Sequence, residues 1–179
     1  MFQADMADFR IKGPGFNGAY CTVDSFRHLL NDQDAVNHLK NVASHLKADG
    51  IYVLGLHLLP RQGIQAKLHR WKGSRGRLTV HTSIAVLDVN RKRREETLRY
   101  TLRTEKQKYQ SVYKLRTYTL KQIRNLLDKA GCFELVNVYN LDYDLDHPLR
   151  LNAQSEEAVF ILRKLSGNEY THTSKCNLV

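Results

Sequence analysis

The sequence predicts an α/β domain: short parallel strands joined by a crossover helix, interrupted by an antiparallel β meander, and closed by a further helix and strand pair. Three observations carry this. Two apolar runs, Phe16–Cys21 and residues 51–56, flank a helical segment, and the second is almost wholly hydrophobic, as a strand buried on both faces is. Residues 78–118 contain successive alternating stretches separated by turn-forming residues, the pattern of half-buried antiparallel strands. Residues 119–163 then return to a helical stripe followed by two strand-like segments.

Taken in order, residues 1–12 read as the end of a strand and its loop. Residues 32–46 form the best helix, with Ala35, Val36, Leu39, Val42, Ala43 and Leu46 at helical spacing. Asn31 or Asp32 can cap its start by accepting from free backbone amides. Asp49 and Gly50 supply the turn into the strand at 51–56, which Pro60 helps to end. Residues 61–76, around Trp71, read as a polar, glycine-containing connection. Leu78, Val80, Thr82, Ile84 and Val86 then alternate with Thr79, His81, Ser83 and Ala85, and two more strands are expected at 97–104 and 109–118. Asp88 to Arg94 make the first turn of this three-stranded meander. Thr119 caps a helix with the stripe Leu120, Ile123, Leu126 and Leu127, and Gly131 ends it. Strands at 133–141 and 157–163 enclose a loop carrying Asp142, Asp144 and Asp146; residues 166–179 read as a polar, disordered tail.

Length suits one domain with a real core. No apolar run approaches the roughly 18–20 residues needed to cross a bilayer, and no basic-then-apolar leader opens the chain. Cys21, Cys132 and Cys176 are odd in number and lack metal-ligand spacing, which suits reduced thiols in the cytoplasm. The net charge of +10 is concentrated: residues 61–124 carry +14 and the remainder −4. Such an insertion can attract nucleic acid, face an acidic partner, or simply be solvated. The Asp142-x-Asp144-x-Asp146 run lacks the sixth-position glycine and twelfth-position glutamate of a calcium loop, so no metal is expected.

Several segments together resemble the class I S-adenosylmethionine-dependent methyltransferases. The stretches are FNGAYC at Phe16–Cys21, then Ser25-Phe26-Arg27-His28-Leu29, Leu46-Lys47-Ala48-Asp49-Gly50, and LLDKAGCFELVNVY from Leu126. Ala4-Asp5-Met6 resembles the family's acidic adenine loop. The likeness covers roughly residues 1–60 and 118–164. It implies an incomplete Rossmann-like methyltransferase sheet: residues 1–60 as the C-terminal part of a cofactor-binding core, 61–118 as a basic insertion covering the acceptor site, and 119–165 as the last helix and strands. The family's first strand and Gly-x-Gly-x-Gly loop have no counterpart, since Gly13, Gly15 and Gly18 precede a strand instead of following one.

The resemblance implies S-adenosylmethionine as cofactor, with Asp5 and Met6 at the adenine, Cys21, Thr22 and Val23 along its methionine part, and Phe26 beside the ring. His57, at the end of a buried strand, is the candidate base, because an imidazole titrating near neutrality can take a proton from an acceptor. Trp71, Tyr113, Arg116 and Tyr118 are candidates to line an acceptor pocket. The expected activity is methyl transfer to a small molecule by the C-terminal portion of a longer enzyme. Two alternatives stay open: a non-catalytic scaffold that oligomerises through an exposed sheet edge, and an RNA-directed methyltransferase. A missing N-terminal half or a second copy of the chain is the partner the incomplete sheet calls for, and weak cofactor binding is expected of the monomer.

Overall fold

The computed structural model describes residues 3–13, 15–63 and 68–166. Apart from Ser166, the tail expected to be disordered lies outside these residues, as does Cys176. Among the described residues, two four-stranded sheets make up the fold. The first contains β1 (Phe16–Cys21), β2 (Leu46–His57), β7 (Phe133–Tyr139) and β8 (Glu157–Lys164), in the order β1-β2-β8-β7. β1 and β2 run parallel, while β8 is antiparallel to both β2 and β7. The second sheet is an antiparallel meander of β3 (Leu68–Arg75), β4 (Leu78–Asn90), β5 (Glu95–Arg103) and β6 (Lys108–Arg116).

Helices α1 (Asp32–His45) and α2 (Leu120–Ala130) pack on each other, and the core joins their apolar stripes to the first sheet. Leu39, Tyr52, Leu54, Leu56, Ile123, Phe160 and Leu162 are fully or almost fully buried there. Asn31 caps α1 by accepting from the Asp34 amide at 2.8 Å, one of the two residues that sequence allows. Thr119 and Gln122 form a reciprocal capping box on α2, and Gly131 ends that helix at φ 63°, a left-handed conformation that a residue without Cβ adopts readily. Among the described residues no helix is long and apolar enough to cross a membrane.

Four details differ from the sequence reading. Described residues 3–12, read as the end of a strand and its loop, contain no strand, and residues 88–90, read as part of a turn, lie inside β4 and pair with residues 95–97. The segment around Trp71 is a strand, so the meander has four strands, not three. Every residue of β3 is exposed, and it is held by backbone pairing to β4 from Leu68↔Ala85 to Arg75↔Leu78. The Asp49-Gly50 turn lies inside β2, not before it. Pairing with β1 jumps from Phe16↔Leu46 to Gly18↔Ile51, and Asp49 takes φ 59°. At Gly50 a Cβ would come within 3.0 Å of both the Leu46 Cβ and the Lys47 carbonyl oxygen. Gly50→Ala is therefore expected to cost about 1–3 kcal/mol, read as a lowered midpoint in urea unfolding.

Candidate functional site

The carboxyl ends of β1 and β2 lie side by side, since parallel strands leave the sheet together. β1 runs into a tight turn in which Val23 and Asp24 take φ 53° and 65°. Consecutive left-handed, non-glycine residues are strained, by about 1–3 kcal/mol each, and such strain collects where a side chain must be held in place. The Asp24 amide donates to the Gly55 carbonyl at 3.3 Å, tying the turn to β2. A 3-10 turn at Ser25–His28 follows and carries Arg27 and Phe26 inward.

The turn delivers Asp24 to His57. Asp24 Oδ2 lies 2.7 Å from His57 Nδ1, and Asp24 Oδ1 accepts from the His57 amide at 2.8 Å. This two-point grip fixes the ring: Nδ1–H donates to the carboxylate, which leaves Nε2 unprotonated and able to accept. The Asp24 hydrogen bond raises the His57 pKa above its ordinary 6.5; burial and Arg27 oppose this, while the charges of Asp24 and Glu157 add to it. Burial works against ionising Asp24, yet the His57 hydrogen bond and the neighbouring Arg27 and His57 charges bring its pKa down to about 2.

Behind the pair, Arg27 Nη1 lies 3.2 Å from Asp24 Oδ1, and Arg27 Nη2 donates to Glu96 Oε1 at 2.5 Å. Arg27 Nε donates to the Arg116 carbonyl at 2.9 Å. Arg27 and Glu96 are only 3% and 5% exposed, so each buried charge depends on the other. Glu96 belongs to β5, so the chain Glu96–Arg27–Asp24–His57 runs from the inserted sheet to the strand ends.

The candidates from sequence fall into separate places. His57 sits at the strand ends, half-buried. Met6, Cys21 and Thr22 line a cavity of about 390 Å³ along β1 and α1, with Phe9, Tyr20 and Ser25 among its other walls. Its floor is fixed by His38, which bridges the Met6 carbonyl and the Tyr52 hydroxyl at 2.8 Å each. Asp5 is exposed and accepts from the Ala7 amide of its own loop at 2.7 Å. Val23 is 71% exposed and does not line this cavity.

Phe26 is fully buried, edge-on to His38 at 5.5 Å between centroids, so it has no free face for an adenine ring. Tyr118 is also fully buried and cannot line a pocket; the Arg94 guanidinium lies over its ring at 5.2 Å. Arg116 is committed to Asp32 at 2.9 Å and to the Leu30 carbonyl at 2.5 Å, which docks the insertion onto the start of α1. Tyr113 stacks on His28 at 5.6 Å and senses the Asp24 charge, which places it near the pair. Trp71 is half-exposed in β3, with its ring 6.3 Å from that of Tyr100.

Sequence reasoning missed Asp24, Arg27, Glu96 and Tyr143. Tyr143 takes φ 59°. A Cβ built on Gly55 would lie 3.6 Å from both its hydroxyl and the Thr22 Cα, so the loop after β7 crosses the end of β2. For Asp24 there was a signal, its position right after a strand end.

No protein-family model matches the chain, and no curated protein does. Solved structures do. An S-adenosylmethionine-dependent methyltransferase from Clostridium acetobutylicum superposes with a TM-score of 0.67 at 14% identity, covering 92% of this chain and 63% of its own. The CcbJ methyltransferase of Streptomyces caelestis gives 0.65 at 14% identity over 91% and 62%. CalS10, an amino pentose methyltransferase from Micromonospora echinaspora seen with bound S-adenosylmethionine, gives 0.63 at 17% identity over 90% and 63%. The fold is thus the Rossmann-like α/β fold of such methyltransferases, and the chain spans just under two thirds of these neighbours' length.

Proposed function

We propose that the chain takes part in S-adenosylmethionine-dependent methyl transfer to a small-molecule acceptor, with His57 as general base. The observation that carries this is the Asp24–His57 pair at the carboxyl ends of parallel strands, where ligands of open α/β sheets bind, in a fold shared with methyltransferases. The cofactor, when bound, supplies a methyl group already activated on a sulfonium. The cavity beside β1 fits its base: Met6 and Phe9 offer apolar contact, and Thr22 and Ser25 offer hydroxyls. Among the described residues no carboxylate or lysine lines that cavity, so ribose and amino-acid ends need groups from elsewhere.

The protein's own work is positioning and proton transfer. An acceptor N–H or O–H near His57 gives its proton to Nε2, and the new imidazolium is held by the Asp24 carboxylate. Asp24 also keeps the imidazole in the tautomer that leaves Nε2 free. Tyr113, stacked on His28, and Tyr143, whose hydroxyl lies beside Gly55, would exclude water and orient the acceptor, and the inserted sheet would serve as the cover of that site.

The outer edge of β1 carries no strand among the described residues, and Phe16 and Tyr20 on it are 46% and 81% exposed. An open apolar edge favours addition of a strand, either from a second copy or from a preceding segment of a longer chain. Calorimetric titration with S-adenosylhomocysteine, with mass measured by sedimentation, tests the reading. Weak binding by the monomer that tightens at least about 10-fold on dimerisation, or on adding an N-terminal segment, supports it. No binding in any state favours the non-catalytic scaffold.

A further inference from the structure

The inserted sheet has two chemically different faces. Side chains alternate along each strand, so the pairing registers sort them. One face carries Trp71, Tyr100, Leu102 and Tyr109, whereas the other carries a cross-strand row Lys72–His81–Arg103–Lys108. The next row on that second face is Arg70–Ser83–Thr101–Gln110, and Arg99 stands in the one after. Lys72, His81, Arg103 and Lys108 are all exposed, as are Arg70 and Arg99. Among the described residues none of these side chains is in an ion pair, although Arg27, Arg94, Lys114 and Arg116 of the same region are.

We infer that this face binds the phosphate backbone of a nucleic acid, without sequence preference. Arg103 and Lys108 stand one strand separation apart, roughly 4.8 Å, Lys72 lies two strands from Arg103, and Arg70 follows Lys72 along β3 at roughly 7 Å. Between them stand Ser83, Thr101 and Gln110, and Gln110 donates to Thr101 Oγ1 at 3.1 Å. Cations interleaved with hydroxyl and amide donors are what phosphate oxygens contact. A shallow cleft of about 450 Å³ lies here, bounded by Arg70, Lys72, His81, Ser83, Arg103 and Lys108 among others. Trp71 also borders the cleft, while by strand alternation Tyr100 and Tyr109 stand on the opposite face, so cations with hydroxyl and amide donors dominate this one and backbone contact is the mode. The inference is independent of the methyl-transfer reading, because it uses the opposite face from Glu96 and Tyr113.

The test is fluorescence anisotropy of labelled mixed-sequence oligonucleotides, single-stranded and duplex, between 50 and 200 mM salt. Four engaged cations predict a log–log slope of about −3 for a single strand. The triple variant Lys72→Gln, Arg103→Gln, Lys108→Gln should bind at least about 10-fold more weakly, with the slope cut to about −1. These side chains are exposed and unpaired, and an unchanged circular dichroism spectrum would show the variant folded. The inference is overturned by no binding at 50 mM salt, by a wild-type slope near zero, or by undiminished binding in the folded variant. Equal or tighter binding to polyglutamate or phosphatidylserine vesicles also overturns it, by assigning the face to acidic proteins or membranes.

Discussion

Replacing Glu96 with alanine is expected to destabilise the protein by about 3–5 kcal/mol, because it leaves the Arg27 guanidinium buried with its strongest partner gone. Arg27 is 3% exposed, so water cannot take the carboxylate's place without opening the junction between the two sheets. Arg27 would keep Asp24 at 3.2 Å, but that carboxylate already holds His57 with both oxygens. The double variant Arg27→Met, Glu96→Met should recover much of the loss, since apolar side chains of similar volume remove both charges together. Urea unfolding of the three proteins checks this. A loss below about 1 kcal/mol for Glu96→Ala would mean that the junction admits water and the pair is screened.

Asp24→Asn should lower methyl-transfer efficiency at least about 10²-fold and bring the His57 titration down toward its ordinary value. In the native protein the His57 pKa lies above 6.5, chiefly through the Asp24 hydrogen bond, so activity should rise with pH to a midpoint above 6.5. Removing the carboxylate shifts that limb to lower pH and frees the ring to flip its tautomer. Proton NMR of the His57 ring reads the shift without any acceptor, separating failure of the pair from failure of the proposed reaction.

The same groups set the pH dependence of stability. His57, with its pKa raised, contributes fully below about 6.5, and the contribution is lost as pH rises through the folded value. Asp24, lowered from 3.8 to about 2, contributes fully above 3.8, and this is lost as pH falls toward 2. The stability difference between native protein and Asp24→Asn should therefore be greatest from about pH 4 to 6.5.

Much of this architecture is legible in the sequence because it is written in periodicity. Leu39, Val42 and Ile123 lie at helical spacing, and the Thr119 and Gly131 caps sit where their chemistry puts them. β3 was illegible for a physical reason: an edge strand exposed on both faces has no burial pattern, and only its backbone pairing defines it. The site was legible in position, not in composition. His57 and Cys21-Thr22 mark the strand ends, but the Asp24–His57 bond spans 33 residues and Arg27–Glu96 spans 69, distances at which a local pattern says nothing. Aromatic residues misled most. Phe26 and Tyr118 lie next to segments of the candidate site, and a buried ring and a pocket ring look alike in sequence.

The sheet order also dictates how the chain must assemble. β2 pairs with β8 from Ile51↔Arg163 to His57↔Glu157, so the centre of the core closes a loop of about a hundred residues. Every pairing in the inserted sheet, by contrast, joins neighbours in sequence. Loop-closure entropy delays distant pairings and spares local hairpins. The insertion is thus a quick-forming tether: once its hairpins close, they draw Leu59 and Thr117 toward one another, and the loop the core must still close is far shorter than the chain between its strands. The same segment that grips Arg27 in the finished protein therefore shortens the search by which those strands meet.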